Sequence, residues 1–408
     1  MLLYIDPGTG SMLFSVFIGI AAAGYFLIKA MWIKLKFIFS GKTRRVADTM
    51  KYSFVFYNEG IQYWNVFLPI LREFEKRQIS VQYYTSSESD PFFSMDWNYI
   101  TGEFIGKGNK AFAKLNFLEA DVCLMTTPGL DVYQLKRSKR VRHYAHILHA
   151  VDDATSYRLF GLDFFDSVLL SGEYQRKPIR ELEERRGIPA KELPVVGCPY
   201  LDSFSLKLSK LPILQNSCFT VLISPSWGPS GILSRFGVQL LDTLSLSPFH
   251  IIIRPHPQSK KSEPELLKKL ETKYEAFNNF EWDYNPENII SLSRADIMIS
   301  DFSGIIFDYA FLRDKPFLYL NQKFNMEIYD ASDVSEEPWK FVFVREAGIE
   351  LTENMIPSII SVIQSASDSA ELAEARKRGK YTAWQHIGES GKYAADFLIE
   401  KQREVSSC

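Results

Sequence analysis

The 408 residues are 46% hydrophobic and 24% charged, with a net charge of −2. That is a globular composition with room for about two to three domains, and it lacks the basic surplus that grips a nucleic-acid backbone. Cys123, Cys198, Cys218 and Cys408 have neither metal nor redox spacing, and four cysteines in so long a chain do not read as a disulfide framework. No nucleic-acid partner is expected, and a reducing compartment fits.

Residues 1–10, MLLYIDPGTG, contain a Pro-Gly turn, and residues 11–28 then run without a charge. As a helix that run covers about 27 Å, close to a hydrocarbon core of ~30 Å. Lys29, Lys34, Lys36, Lys42, Arg44 and Arg45 follow directly. The positive-inside rule predicts a single span with the rest of the chain on the cytoplasmic side and membrane lipid as a partner. A cleavable signal fits less well, because the leader holds Asp6 and no Lys or Arg. Residues 1–45 therefore read as a membrane anchor with a basic juxtamembrane segment.

Beyond residue 46, strand-like and helix-like stretches alternate, which predicts parallel sheets covered on both faces. In the first group, strands are expected at 52–57, 79–85, 121–126, 142–148 and 164–171, with helices at 61–77, 109–119 and 176–186. This gives a first parallel-sheet α/β domain over 46–202. Residues 203–216 are polar, with lysines, serines and a proline, and read as a linker. The pattern restarts over 217–350, with strands at 218–224, 249–253, 297–300 and 317–320. Residues 351–408 read as a mostly helical tail. The fold class is α/β, two consecutive parallel sheets with a ligand cleft between their carboxyl edges.

Four clusters carry chemistry. His143, His146 and His149 lie in VRHYAHILHAVDDAT at a spacing of three. On a helix they would share a face, but the β-branched and aromatic content favours a strand ending near Leu148. His149 then stands at the strand's carboxyl edge, before a loop with Asp152 and Asp153, as a histidine–carboxylate acid/base site rather than a metal site. IIIRPHP ends a strand with Arg254 and His256, donors suited to phosphate oxygens. SPSWGPSG brings Ser224, Ser226 and two glycines to another strand end, without the lysine of a P-loop. The last cluster, SDFSG, holds Asp301, Ser303 and Gly304 between a strand and a helix N-terminus, a ready anion site whose competing reading is a simple helix cap. Three such loops in one half point to a diphosphate held among them.

At these residues the chain resembles the CDP-glycerol:poly(glycerophosphate) glycerophosphotransferases, the teichoic-acid polymerase family. HILHAVDDAT is similar to that family's His-Gly-Thr loop, with Ala150 and Val151 in place of Gly and Thr. VVGCPYLD is similar to its Gly-x-Pro-x-x-Asp segment, here Gly197, Pro199 and Asp202. RPHP and SDFSGIIFDYAFLRDKP resemble its donor-pyrophosphate motifs, with Gly304 in place of a serine.

The resemblance implies a GT-B architecture of two Rossmann-like domains, with acceptor bound to the first domain and donor to the second. It implies transfer of a polyol phosphate from a CDP-activated donor to a hydroxyl of a cell-envelope glycan or glycolipid, with no cofactor and no obligatory metal. His149 would be the base, with Asp152 and Asp153 on the acceptor side. Arg254, His256, Ser224, Ser226, Asp301, Ser303 and Gly304 would surround the diphosphate, His256 also acting in catalysis. The setting implied is a bacterial plasma membrane, with the catalytic body on its cytoplasmic face. A glycosyltransferase using a nucleotide sugar and a non-catalytic nucleotide-binding membrane protein remain as alternatives.

Overall fold

The computed structural model describes residues 51–407 except 152, 213–217, 302 and 322–324, together with Gly24 and Tyr25, which are helical. The span expected at residues 11–28 thus lies outside the described residues, apart from those two. Among the described residues no helix is long and apolar enough to cross a membrane. Lys51–Cys408 is one compact unit.

That unit contains two six-stranded sheets, and every pairing in them is parallel. The first comprises β1 (Tyr52–Asn58), β2 (Val81–Thr85), β3 (Ile100–Phe104), β4 (Glu119–Met125), β5 (Arg140–Ile147) and β6 (Ser167–Leu169), in the order β3-β2-β1-β4-β5-β6. The second comprises β7 (Thr220–Ile223), β8 (His250–Ile253), β9 (Phe280–Trp282), β10 (Ile297–Asp301), β11 (Phe317–Leu320) and β12 (Ile349–Glu350), in the order β12-β11-β10-β7-β8-β9. Read from the opposite edge, that is the same topology. Each sheet therefore reverses its strand order once, between β1 and β4 and between β7 and β10, and loops diverging from such a point leave a crevice.

Apolar clusters fill both faces of each sheet. Phe54, Phe56 and Leu124 pack on one side of the first sheet, and Val55, Tyr57 and Cys123 on the other. Ile223, Ile253 and Ile299 face one side of the second, with Leu222, Ile252 and Met298 opposite. This two-sided burial is why the strands read as continuous apolar runs in the sequence.

The first half of the stretch read as a linker, residues 203–209, belongs to a helix, Pro199–Ser209, opened by proline at its first position, where the missing N–H costs nothing. Its Asp202 is buried and accepts from Trp384 Nε1 (2.8 Å), Gly388 N (2.8 Å) and Ser390 N (2.9 Å). Asp202 thereby caps the start of the last helix, Ser390–Ser407, which returns to the first sheet. There Ala394, Ala395 and Leu398 join the cluster of Phe56, Ile70 and Leu71. Gly197 makes the crossing possible: its φ is +90°, and a Cβ there would lie 2.2 Å from Gln385 O.

Candidate functional site

A cleft of 660 Å³ lies between the two sheets. Its second-sheet wall comes from three strand ends: Ser224 and Pro225 after β7, Arg254–Pro257 after β8, and Ser303–Ile305 after β10. Its first-sheet wall comes from Ile61, Gln62, Trp64 and Asn65 after β1 and Pro91 after β2. Tyr200, Phe204 and Lys207 of the Pro199–Ser209 helix also contribute. A second groove of 630 Å³, beside the helix Trp64–Lys76, shares Lys207 but contains none of the strand-end loops.

The helix Ile305–Arg313 points its N-terminus at this cleft, and Gly304 precedes it without a side-chain cap. Ser303 contributes its carbonyl, which accepts from Ile306 N at 3.1 Å. The first N–H groups of a helix lack intrahelical partners and carry its positive dipole end, so this edge favours an anion. A Cβ on Gly304 would meet nothing within 4 Å, so the backbone here is open to a ligand.

His256 lines the same wall. Its Nδ1 accepts from Gln258 N at 3.1 Å, which places the proton of the neutral ring on Nε2. Burial lowers its pKa from 6.5, against an opposing pull from Asp301.

Three residues expected on the diphosphate have other work. Arg254 Nη1 donates to Asp283 Oδ2 (2.5 Å), and Nη2 to the carbonyls of Asn285 (2.6 Å) and Pro286 (3.5 Å). The guanidinium thus pins the loop that carries Glu287 and Asn288 to the cleft wall. Burial raises the Asp283 pKa, but donors from Ser291, Asn285 N and Arg254 outweigh it and hold the carboxyl below 3.8. Asp301 is fully buried and accepts from Ser226 N (2.6 Å) and Ile232 N (3.1 Å). It shapes the loop after β7 from behind, and burial raises its pKa despite those bonds. Ser226 belongs to this brace and is not among the residues lining the cleft. Ser224 does line the cleft, and its carbonyl accepts from Ser300 Oγ at 2.5 Å.

On the first sheet, His143 and His146 lie in β5, and His149 follows two residues after its end. An odd spacing on a strand sends neighbours to opposite faces. His143 accordingly meets Ser167 Oγ at 2.9 Å, while His146 packs on Phe165 with ring centroids 4.9 Å apart. His149 is not among the residues lining the cleft, but its ring centroid is 5.1 Å from that of Tyr63, the chain neighbour of cleft-lining Gln62 and Trp64. Asp152 falls outside the described residues. Asp153 is buried and accepts from Lys340 N at 2.8 Å, so its carboxylate braces the loop against the helix Trp339–Ala347.

Sequence reasoning missed the support beneath the first wall. Asp90 accepts from Asn58 Nδ2 (3.0 Å), Tyr83 Oη (3.0 Å), Thr85 Oγ1 (2.6 Å) and Phe92 N (3.0 Å). Asn58 in turn accepts from Gly60 N at 3.2 Å and fixes the turn that enters the cleft. Polar residues at the ends of apolar runs, Asn58 and Thr85, were the available signal.

The model of the CDP-glycerol:poly(glycerophosphate) glycerophosphotransferase family matches residues 188–336. Among solved structures, one of the wall teichoic acid polymerase TagF has a TM-score of 0.57 at 12% identity, covering 88% of this chain and 90% of that one. A second TagF structure gives 0.57 at 13% identity, covering 93% and 98%. UDP-GlcNAc 2-epimerase from Neisseria meningitidis gives 0.55 at 16% identity, covering 86% and 100%. A comparison with curated proteins gave no match. The structural likeness establishes the fold, two parallel-sheet α/β domains of GT-B type.

Proposed function

We propose that this CDP-glycerol glycerophosphotransferase-like enzyme moves a polyol phosphate from a CDP-activated donor to an acceptor hydroxyl and releases CMP. The acceptor would be a cell-envelope glycan or glycolipid at the cytoplasmic face of the membrane, reached through the anchor expected at residues 1–45. The observation that carries this reading is the convergence of His256 and the uncapped helix start at Ser303–Ile305 on one wall of a cleft.

In this reading the donor diphosphate lies against that wall. The acceptor oxygen attacks the phosphorus that bears the polyol, forming a new P–O bond. The bond to the bridging oxygen breaks, and that oxygen leaves with CMP. His256 Nε2–H and the helix N–H groups neutralise charge gathering on the leaving phosphate. His149, which follows β5 of the first sheet, would take the acceptor proton on its imidazole and return it to solvent. Arg254 and Asp301 hold the loops in register.

Purified protein incubated with a panel of CDP-alditols and nucleotide sugars tests the proposal. CMP release that depends on an added acceptor supports it. Release of a nucleoside diphosphate from a nucleotide sugar would instead assign a glycosyltransferase.

A further inference from the structure

We infer that Tyr157 is the positioning residue for His149, and that the second half of the molecule holds it in place. The inference rests on the assignment of His149 above. Tyr157 Oη lies 3.2 Å from His149 Nδ1 and 3.0 Å from His146 Nε2, so one hydroxyl links the two histidines. The His146 ring stands perpendicular to that of Tyr157, centroids 5.3 Å apart. His146 is fully buried, and burial pushes its pKa down to about 3, so it stays neutral and serves as a fixed anchor. On its other side the His149 ring meets the edge of Tyr63. With Tyr157 bonded to Nδ1, the acceptor proton goes to Nε2, and ring rotation is restrained at the moment of transfer.

Tyr157 is itself clasped across the molecule. Its carbonyl accepts from Asp330 N (2.9 Å), Arg158 bridges Tyr329, and Leu159 N donates to Ile328 O (3.1 Å). Asp330 Oδ1 then accepts from Phe160 N (2.8 Å) and from Arg186 Nη2 (2.8 Å), and Arg186 also binds Asp163 and Asp333. Phe160 is held at φ +67°, a conformation that persists only where its surroundings enforce it. The clasp joins a segment after β11 to the segment that bears Tyr157, so the docking of the halves and the orientation of His149 are one arrangement.

The test is Tyr157→Phe, which keeps the ring and removes only the hydroxyl. Turnover should fall about 10- to 100-fold, the scale of a misplaced reacting group, while the KM for CDP-glycerol stays within twofold. Asp330→Ala, which unpicks the clasp, should slow the wild-type background several-fold yet add little in the Tyr157→Phe background, because both act through the same bond. Unchanged turnover in Tyr157→Phe, an equal loss of donor affinity, or full additivity of the two substitutions overturns the inference. His149→Ala separates the layers. If it is slow while Tyr157→Phe is not, only the positioning role falls. If it retains wild-type turnover, the assignment of His149 as the base falls, and the inference with it.

Discussion

Replacing Arg254 with methionine distinguishes a residue that holds the donor from one that holds the wall. The Arg254 and Asp283 side chains are only 10% and 13% exposed, and the guanidinium satisfies a carboxylate and two carbonyls. Methionine keeps most of the aliphatic stem and leaves Asp283 buried beside a lost cation. Breaking a buried pair from one side costs about 3–5 kcal/mol. Urea unfolding of the ligand-free protein should show that loss. In a double-mutant cycle with Asp283→Asn, the pair should show coupling of about 0.5–3 kcal/mol. Asp283→Asn should also weaken CDP-glycerol binding, measured by calorimetric titration, because Glu287 and Asn288 ride on the pinned loop. The acid side adds a signature: the Asp283 carboxyl is depressed in the folded state, so its contribution is complete above 3.8 and is lost as pH falls below that value. An Arg254→Met protein within about 0.5 kcal/mol of wild type, with donor affinity abolished, would refute the reasoning. The guanidinium would then belong to the ligand.

Three further outcomes are expected. Gly304→Val should weaken CDP-glycerol binding about tenfold or more and leave the melting temperature nearly unchanged, since its side chain enters open space, whereas Ser303→Ala should have a smaller effect; unchanged affinity in both would move the diphosphate elsewhere. Donor affinity should rise as pH drops from neutral through the lowered pKa of His256, because the imidazolium forms while the diphosphate stays ionised; His256→Ala should flatten that slope, and an unaltered slope would exclude this residue. Carbonate extraction should leave the full chain in the membrane pellet, and its recovery in the supernatant would contradict the anchor expected at residues 11–28.

The alternation of strands and helices was legible because parallel strands buried on both faces read as apolar runs, as in Phe54–Phe56 and Ile251–Ile253. Of the edge strands, β6 was legible, but β3, β9 and β12 were not. In β3, Thr101 and Glu103 are exposed, so no apolar run marks it. The loops that carry chemistry were legible from residue type at strand ends, and His256, Ser224, Ser303 and Gly304 do meet in one cleft. What those side chains bond to was not legible. Arg254 reads as a phosphate ligand, and its bond to Asp283, distant in sequence, is invisible there. Asp202 reads only as the last residue of a short motif until Trp384, Gly388 and Ser390 converge on it. Long-range polar pairing depends on the return path of the chain, which no local pattern encodes.

That return path also sets a schedule for synthesis. The first sheet leaves the ribosome before the second, but Ala394, Ala395 and Leu398, which complete its cover, follow both sheets in the chain. Until then the face around Phe56, Ile70 and Leu71 lacks part of its cover, while the second sheet is already complete. The half made first is therefore finished after the second sheet is complete. During that interval it exposes apolar surface of the kind that aggregates or recruits chaperones. A stop codon at residue 390 would strip this cover from the first sheet while leaving Ala375, Ala383 and Trp384 in the core of the second.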